Sequence, residues 1–360
     1  MKIAIFEPYI EGIGGAQRVV ARYANYLQLK GHHVEIFTQR YTPKTAYKGF
    51  EKLKINIIKP TAKNLSFLAF LKRFNDFDLR IVNDFPSNFI GIRNKNTVWI
   101  CYSPKRYFYD LKEHYFKNAD LKGKILLFLK SLLKGADILS AKRTTCILPI
   151  SKTIQKRVEK YYHIKNTNIV YCGIDCEDYK EGKYEDYLLC VSRFETPKRI
   201  DVVIKSMAFV KNKRLKLYVI GDGKEKENIE NLCKQYKNVE FLGRISDQKL
   251  KELYSNCLAL VYVPINEDWS LVPFEAGASG KMTIGCNEGA IPEVIVKDKT
   301  GFLLDDITPE KIAEKIDYLG LNKKEAKRLG KQAKEYAKQF DWKVLLPQWE
   351  KLILDHAKKD

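Results

Sequence analysis

Short apolar runs alternate along the chain with stretches of helical periodicity. Lys2–Glu7 and His33–Thr38 are typical of buried strands, whereas Ala16–Leu29 between them repeats apolar residues with the helical period and is followed by Gly31. A strand, a glycine-rich turn, a helix and a second strand are the start of a parallel, doubly wound sheet. Further strands of the first half are expected at Leu79–Asn83, Thr97–Cys101, Cys146–Ile150 and Asn168–Tyr171.

The alternation restarts in the second half of the chain. The strands predicted there are Tyr187–Val191, Leu215–Gly221, Val239–Leu242, Leu258–Val263 and Met282–Cys286. The predicted helices are Asp201–Val210, Lys224–Tyr236, Asp247–Ser255, Val272–Ser279, Lys323–Gln339 and Trp342–Ala357. We therefore expect an α/β protein with one Rossmann-like domain over residues 1–172, a second over 173–340, and a closing helix over 341–360 that crosses back to the first domain.

Length and composition agree with two soluble domains. A chain of 360 residues is too long for one ordinary core, and 45% hydrophobic with 30% charged residues is a globular composition. The N-terminus lacks the features of an export signal, and no run reaches the ~18 apolar residues of a spanning helix. The eight cysteines are scattered, and Cys172 and Cys176 have the wrong spacing for a CxxC motif. Reduced cysteines and a cytoplasmic location are expected.

The net charge of +20 is concentrated in one half of the chain. Residues 1–170 carry 31 Lys and Arg against 12 Asp and Glu, a net charge of +19, whereas residues 171–360 carry 33 against 32, a net charge of +1. Such an asymmetry indicates that the first half faces an anionic partner. Nucleic acid, anionic lipid and a phosphate-bearing acceptor remain open on charge alone.

Two cations follow the first strand of the second half. Arg193 and Lys198 come after Tyr187–Val191, and ligands of open α/β sheets bind at the carboxyl ends of strands. A guanidinium and an ammonium together neutralise two phosphates and stabilise a departing diphosphate. Taken alone, two cations after a strand are more often part of a solvated surface.

Two further features of this half point to a phosphorylated ligand. Gly221-Asp-Gly223 lies at a strand end, where glycine permits close backbone approach to a ligand or simply forms a turn. Glu267 and Glu275 are separated by seven residues across a loop and a helix start. Leu271 and Val272 would then lie near a helix N-terminus, which favours phosphate binding. The alternative is that the two glutamates are ordinary exposed acids with no ligand.

The order of these motifs resembles a known family. RFETPKR, VIGDG, FLGRISD, PINEDWSLVPFEAGASGK and GAIPEVI between Val191 and Val294 are similar to retaining family 4 glycosyltransferases of the GT-B fold, as are the N-terminal GIGGAQR and the closing FDWKVLLPQWEKL. The resemblance spans nearly the whole chain. It implies two Rossmann-like domains that face each other across a cleft, with the acceptor on the first and a nucleotide-sugar donor on the second.

The resemblance also implies a role for individual residues. Arg193 and Lys198 would bind the donor diphosphate, Glu275 the ribose and Glu267 the transferred sugar. The remaining implied contacts are Gly14 and Gly15 with the diphosphate, the backbone of Ser270, Leu271 and Val272 with sugar or phosphate, and Gly221, Arg244 and Ile245 with the base.

Two positions depart from the family pattern. Ser270 replaces the usual glycine of the paired-glutamate loop, so its side chain would crowd the donor or hydrogen-bond it. In the segment that carries Tyr102 and Arg106, which resembles the acceptor-side loop, Tyr102 replaces a histidine. A phenol with an ordinary pKa of about 10 is a poor base near neutrality. Tyr102 would then act as a hydrogen-bond donor or as an aromatic core contact.

No metal site is predicted. The five histidines are unclustered, and Asp76-Phe-Asp78, although similar to a metal-binding DxD, precedes a strand of the first half and is interpreted as a turn. A metal-free enzyme without a cofactor is expected. Two segments of the first half are basic and amphipathic, Lys122–Lys134 and Leu65–Phe74. Such segments either bind an anionic membrane surface or are core-facing helices with lysines along their solvent-exposed rim.

The sequence therefore predicts transfer of a hexose (mannose, glucose or galactose) from an NDP-sugar to a hydroxyl, with retention. The acceptor is expected to be a lipid-linked saccharide of cell-surface glycan or glycoprotein biosynthesis, met at the cytoplasmic face of a membrane. A soluble acceptor is the alternative. A basic nucleic-acid-binding protein would show base-stacking aromatics among Lys and Arg and no paired-glutamate loop, so nucleic acid is not an expected partner. A nicotinamide dehydrogenase is the other alternative, but it would need a complete GxGxxG motif, which this sequence lacks.

Overall fold

The computed structural model of the chain describes residues 1–12, 14–61, 66–117, 120–165 and 167–357. Contacts within the chain divide it into two compact units. The first unit comprises residues 1–171 together with 345–360, and the second comprises residues 172–344. Each unit is built around its own parallel sheet.

Buried apolar runs form the strands of the first unit. These strands are β1 (Lys2–Phe6), β2 (Tyr9–Ile10), β3 (His33–Thr38), β4 (Arg40–Tyr41), β5 (Lys54–Ile57), β6 (Leu79–Val82), β7 (Thr97–Cys101) and β8 (Cys146–Pro149). Among the described residues, six of them pair in parallel in the order β5-β3-β1-β6-β7-β8. Ile5 of β1 lies opposite Ile36 of β3 and Ile81 of β6. All three side chains are fully buried, as expected for a parallel sheet with both faces covered.

Helices connect the strands of the first unit. They are α1 (Gly15–Leu29), α2 (Ser66–Ala69), α3 (Ile90–Arg93), α4 (Lys112–Lys117), α5 (Leu121–Ser131), α6 (Lys134–Arg143) and α7 (Lys152–Tyr162). The predicted period of α1 is confirmed, because Val19, Val20, Tyr23 and Leu27 are buried. α7 was not predicted, although the Ser151 hydroxyl caps it by accepting a hydrogen bond from the Ile154 amide at 3.1 Å.

The strand predicted at Asn168–Tyr171 is wrong. The Val170 amide donates to the Pro149 carbonyl at 2.9 Å, so pairing with β8 begins. It then stops, because the Tyr171 carbonyl accepts a hydrogen bond from the Trp349 indole at 2.9 Å. The unpredicted strand β5 lies at the sheet edge, where its polar residues are tolerated because it is only partly buried.

The second unit repeats the same architecture. Its strands are β9 (Tyr187–Val191), β10 (Lys216–Ile220), β11 (Val239–Gly243), β12 (Ala259–Tyr262), β13 (Thr283–Cys286) and β14 (Gly301–Leu304), paired in parallel in the order β11-β10-β9-β12-β13-β14. Its helices are α8 (Ile200–Phe209), α9 (Lys226–Cys233), α10 (Asp247–Asn256), α11 (Val272–Ala278), α12 (Ile291–Val294), α13 (Pro309–Leu321) and α14 (Lys323–Ala337). The sequence did not predict β14, α12 or α13.

The last helix, α15 (Trp342–Ala357), belongs to the first unit from residue 345 onward. The Trp349 and Tyr23 rings lie 5.4 Å apart. The Tyr26 hydroxyl donates to Glu350 Oε2 at 3.0 Å. The C-terminal part of the chain is thereby fixed to α1.

Each sheet has one point where the strand order reverses. In the first sheet the chain moves outward from β1 to β3 and β5, then returns to β6 beside β1. In the second sheet it moves outward from β9 to β10 and β11, then returns to β12 beside β9. Loops at the carboxyl ends of the strands at such a switch point form the ligand crevice of open α/β sheets.

No helix among the described residues has both the length and the apolar composition needed to cross a bilayer.

Candidate active site

The loops that follow β9 and β12 meet at the switch point of the second sheet. The Ile265 amide donates to the Pro197 carbonyl at 2.8 Å and so joins the two backbones. One residue further along the first loop, Lys198 donates from Nζ to Glu267 Oε2 at 2.6 Å. Two of the predicted site residues, 69 positions apart in sequence, are therefore in direct contact.

This ion pair is largely shielded from water. The side chains of Lys198 and Glu267 are only 11% and 16% exposed. Partial removal of two charges from water is offset by short, hydrogen-bonded pairing. A second cation of the same loop lies in solvent: the side chain of Arg193 is 73% exposed and pairs with the partly buried Glu195 at 3.3 Å.

The second glutamate of the predicted pair lies in α11. Tyr254 of α10 is fully buried, and its hydroxyl donates to Glu275 Oε2 at 3.0 Å. Burial, together with the charge of Glu275, raises the pKa of Tyr254 well above its ordinary value, so the phenol stays a donor. The sequence did not single out Tyr254.

The loop between the glutamates is held by its own side chains. The Trp269 indole donates to the Cys172 carbonyl at 3.0 Å, and its ring packs against Phe274 at 5.4 Å. Ser270 is buried, and its hydroxyl accepts from the Val272 amide at 3.3 Å. The serine that departs from the family pattern thus braces the turn at Leu271 into α11. Leu271 and Val272 themselves are partly buried.

Gly221, predicted to contact the base, follows β10, and the local backbone requires glycine at this position. Gly221 has φ +149°, and a Cβ there would lie 1.8 Å from the Ser192 carbonyl oxygen. The close approach that requires glycine is therefore to the neighbouring loop of the same unit. Beyond β11, the next strand of the sheet, Arg244 is exposed and Ile245 is partly buried.

The remaining predicted residues belong to the first unit. Gly14 caps α1 at its N-terminus and Gly15 is its first residue, and a Cβ on Gly15 would meet nothing within 4 Å. Tyr102 follows β7 and is partly buried. The side chain of Arg106 is 17% exposed, and its Nε and Nη2 both donate to Asp110 Oδ2, at 3.1 and 2.7 Å.

Sequence reasoning missed a second ion pair beside Lys198 and Glu267. Arg199 Nη1 donates to Glu288 Oε1 at 2.7 Å, and Glu288 follows β13. The only signal in the sequence was the adjacency of Arg199 to Lys198, and pairing over 89 positions leaves no local pattern.

Within the described ranges, no three His, Cys, Asp or Glu side chains form a group that could hold a metal ion. Asp78 of the DxD-like triplet precedes β6, and its Oδ2 accepts from the Lys2 amide at 2.7 Å. It therefore joins β1 to the start of β6 at the amino ends of these strands, whereas ligands of open α/β sheets bind at the carboxyl ends.

An apolar face on α5 is exposed. Phe128 is 60% and Leu129 54% exposed, and the interpretation of this helix as core-facing is therefore wrong for these side chains. Further exposed apolar side chains of the same segment are Leu121, Ile125, Leu126 and Leu132. In the second amphipathic segment Leu68 is 42% exposed and Phe70 is buried, while Leu65 lies outside the described residues.

Comparisons with known proteins agree with this architecture. Residues 13–178 match the family model Glycosyltransferase Family 4, and residues 175–336 match Glycosyl transferases group 1. The chain is 31% identical over 228 residues to an uncharacterized glycosyltransferase of Methanocaldococcus jannaschii, a match that spans 62% of this chain and 63% of that protein. It is 24% identical to the alpha-1,3/1,6-mannosyltransferase ALG2 of Candida glabrata, over 84% of this chain and 81% of the relative.

The fold is also found in solved structures. The glycosyltransferase WaaG, involved in lipopolysaccharide biosynthesis, superposes with a TM-score of 0.72 at 17% identity, over 98% of this chain and 99% of that one. The Anabaena protein HepE in complex with UDP-glucose superposes with a TM-score of 0.79 at 16% identity, over 99% of this chain and 100% of that one. The predicted GT-B fold with two Rossmann-like domains is thereby confirmed. The chain belongs to the family 4 glycosyltransferases, and the expectation of a glycosyltransferase is confirmed.

Proposed function

We propose that the protein transfers a hexose from a nucleoside-diphosphate sugar to a hydroxyl group and retains the anomeric configuration. The observation that carries the proposal is the contact between Lys198 and Glu267 at the switch point of the second sheet. It places a cation suited to phosphate beside a carboxylate suited to sugar hydroxyls. Mannosyl transfer by a relative and UDP-glucose bound to a protein of the same fold support the substrate class.

The second unit would bind the donor. Lys198 and the solvent-exposed Arg193 neutralise the diphosphate, and as it departs they stabilise its growing charge. Glu267 accepts hydrogen bonds from the sugar. Glu275, which the Tyr254 hydroxyl holds at Oε2, accepts hydrogen bonds from the ribose.

The remaining donor contacts follow from the family resemblance. The backbone of Ser270, Leu271 and Val272 meets sugar or phosphate, and Gly14 and Gly15 contribute from the first unit. Gly221, Arg244 and Ile245 surround the base. The Ser270 hydroxyl, which accepts from the Val272 amide, would brace this loop beside the donor.

Retention follows from a front-face substitution. The bond between the anomeric carbon and the leaving phosphate oxygen breaks while the acceptor oxygen bonds to the same face of that carbon. The acceptor proton passes to the departing diphosphate, so no protein base is required and Tyr102 acts as a hydrogen-bond donor. Two protein cations perform the charge stabilisation, and we propose that the reaction needs neither a metal ion nor a cofactor.

The acceptor side lies on the first unit, near Tyr102 and Arg106. We propose a saccharide linked to a lipid, met at the cytoplasmic face of an anionic membrane. The support is the net charge of +19 over residues 1–170 and the exposed apolar face of α5 among lysines. Basic amphipathic helices bind anionic bilayers because their lysines attract the lipid headgroups and their apolar side chains insert below them.

A binding and turnover screen tests the proposal. UDP-, GDP- and ADP-sugars are added to the folded protein, and the donor that raises its melting temperature is incubated with lipid-linked and soluble acceptors. Proton NMR of the product then reads the anomeric configuration. An inverted product would refute the front-face mechanism, and turnover of soluble acceptors alone would refute the lipid-linked one.

A further inference from the structure

Two non-glycine residues next to the proposed site have left-handed backbone conformations. Arg199, directly after Lys198, has φ +50° and ψ +34°, and Asn266, directly before Glu267, has φ +44°. Such conformations are uncommon for residues with a side chain and persist where the surroundings impose them. Here both strained residues flank the two partners of the central ion pair.

One carboxylate connects the two strained positions. Glu288 Oε1 accepts from Arg199 Nη1 at 2.7 Å, and its Oε2 accepts from the Asn266 amide at 3.4 Å. The two side chains of this ion pair are 23% and 28% exposed. They are therefore partly shielded from solvent, which strengthens the pairing relative to a fully exposed one.

The residues after Glu288 hold the other side of the same loop. The Ala290 amide donates to the Glu267 carbonyl at 2.8 Å. Gly289 has φ +57°, and a Cβ there would lie 2.5 Å from that same carbonyl oxygen. The backbone of Glu267 is thus fixed on both sides by the segment that follows β13.

We propose that Arg199 and Glu288 are positioning residues for sugar transfer. They set the place of Glu267 relative to Lys198, and thereby the place of the hexose relative to the diphosphate. The inference rests on the proposed function of Glu267 and Lys198. Because the ion pair acts on the Glu267 loop, its loss impairs handling of the sugar and leaves binding of the nucleoside diphosphate unchanged.

Arg199→Gly and Glu288→Gln test this role. Glycine adopts φ +50° without strain, so Arg199→Gly removes the guanidinium while it keeps the backbone and the fold. Misplacement of a reacting group by about 1 Å lowers rates up to ~100-fold, and we expect each variant to lower kcat by ~10- to 100-fold. Arg199→Lys, which keeps the charge but not the planar fork, restores part of the rate.

The readout that separates positioning from general destabilisation is a pair of titrations. Each nucleoside diphosphate and its sugar conjugate, UDP and UDP-glucose or GDP and GDP-mannose, are titrated separately into wild type and variants. We expect an unchanged Kd for the diphosphate and a weaker Kd for the sugar conjugate. Removal of the exposed α8 pair, Asp201 and Lys205 at 2.9 Å, by Lys205→Ala is the matched control and leaves both Kd values and kcat at wild-type levels.

The benchmark variant is Glu267→Gln. If Glu267→Gln abolishes transfer while Arg199→Gly and Glu288→Gln keep normal kcat, the positioning role is wrong and the proposed function stands. Equal weakening of diphosphate and sugar-conjugate binding, with a lowered melting temperature, also overturns the positioning role. If Glu267→Gln leaves transfer unchanged, the proposed function itself fails.

Discussion

Lys198 Nζ lies 2.6 Å from Glu267 Oε2 and joins the loops that follow β9 and β12. The contact neutralises the charge of the Lys198 ammonium in the absence of a donor and fixes the orientation of the Lys198 side chain. A donor diphosphate would then meet a cation that is already oriented, and the solvent-exposed Arg193 would exchange its pairing with Glu195 for the diphosphate. Such preorganisation is a main source of charge stabilisation in enzymes.

The two cations are expected to act on the same diphosphate. Arg193→Ala and Lys198→Ala should each lower turnover by at least ~100-fold, the scale of other charge-stabilising groups. Because both serve one group, the double variant should lose less than the product of the two single effects. Steady-state kinetics with circular dichroism of each variant measures this. Folded single variants with near-normal turnover would show that the diphosphate binds elsewhere.

Turnover is expected to survive chelation. Two protein cations would supply the charge that a divalent ion supplies in other transferases. Activity after dialysis against excess EDTA should therefore stay within ~2-fold of the untreated enzyme. Complete loss on chelation, with recovery on addition of Mn²⁺ or Mg²⁺, would contradict the metal-free proposal.

A buried lysine of the second unit should make stability depend on pH. Lys281 is fully buried, donates to the Lys183 carbonyl at 2.6 Å and lies 3.3 Å from the centre of the Tyr184 ring. Burial lowers the pKa of its ammonium to about 8. In the unfolded chain the pKa is about 10.4, so between these values the unfolded state binds more protons and the free energy of unfolding rises with pH.

Lys281→Met removes this titration and serves as the reference. Relative to the variant, the wild type should gain ~1–2 kcal/mol of stability between pH 7.5 and 9.5, because one pKa unit corresponds to about 1.4 kcal/mol. Urea unfolding of both proteins at several pH values gives the difference, and contributions from other groups cancel. A difference that stays constant over this range would mean that Lys281 is not desolvated.

The exposed face of α5 should bind anionic membranes. Association with liposomes should rise with anionic lipid content and fall with salt, since exposed charges are screened beyond ~10 Å at 0.1 M. Phe128 and Leu129 are more than half exposed, so replacing both with Ser should weaken liposome binding without lowering the melting temperature.

An exposed leucine outside this face provides the control. Leu321 of the second unit is 83% exposed, and Leu321→Ser should leave liposome binding unchanged. Wild-type protein that ignores anionic liposomes at low salt would refute the membrane proposal. A sharp fall in the melting temperature of the Phe128 and Leu129 variant would show that these side chains pack inside the fold.

Local patterns were sufficient to predict most of the fold. Apolar runs predicted the central strands, such as β1 and β9, because parallel strands are buried on both faces. They failed at the sheet edge, where β5 alternates polar residues with two isoleucines and is only partly buried. They also failed at Asn168–Tyr171, where a tertiary hydrogen bond from Trp349 ends the pairing. The period of α5 was predicted, but the same period serves a core and a membrane surface.

The candidate site was predicted by residue type and not by contact. Arg193, Lys198 and the paired glutamates were recognisable from their place after strands. The pairing of Lys198 with Glu267 depends on the return of the chain to β12 beside β9, and periodicity does not report strand order. Arg199, Glu288 and Tyr254 were missed because their partners lie far away in sequence.

Isothermal titration of UDP-, GDP- and ADP-sugars into wild type and Lys198→Ala tests whether Lys198 binds the donor diphosphate. We expect one nucleotide sugar to bind the wild type without added metal, and Lys198→Ala to weaken its binding at least ~10-fold because an ionic contact to a diphosphate is lost. Equal affinity of the two proteins for that donor, or no binding of any nucleotide sugar to the folded wild type, would contradict this expectation.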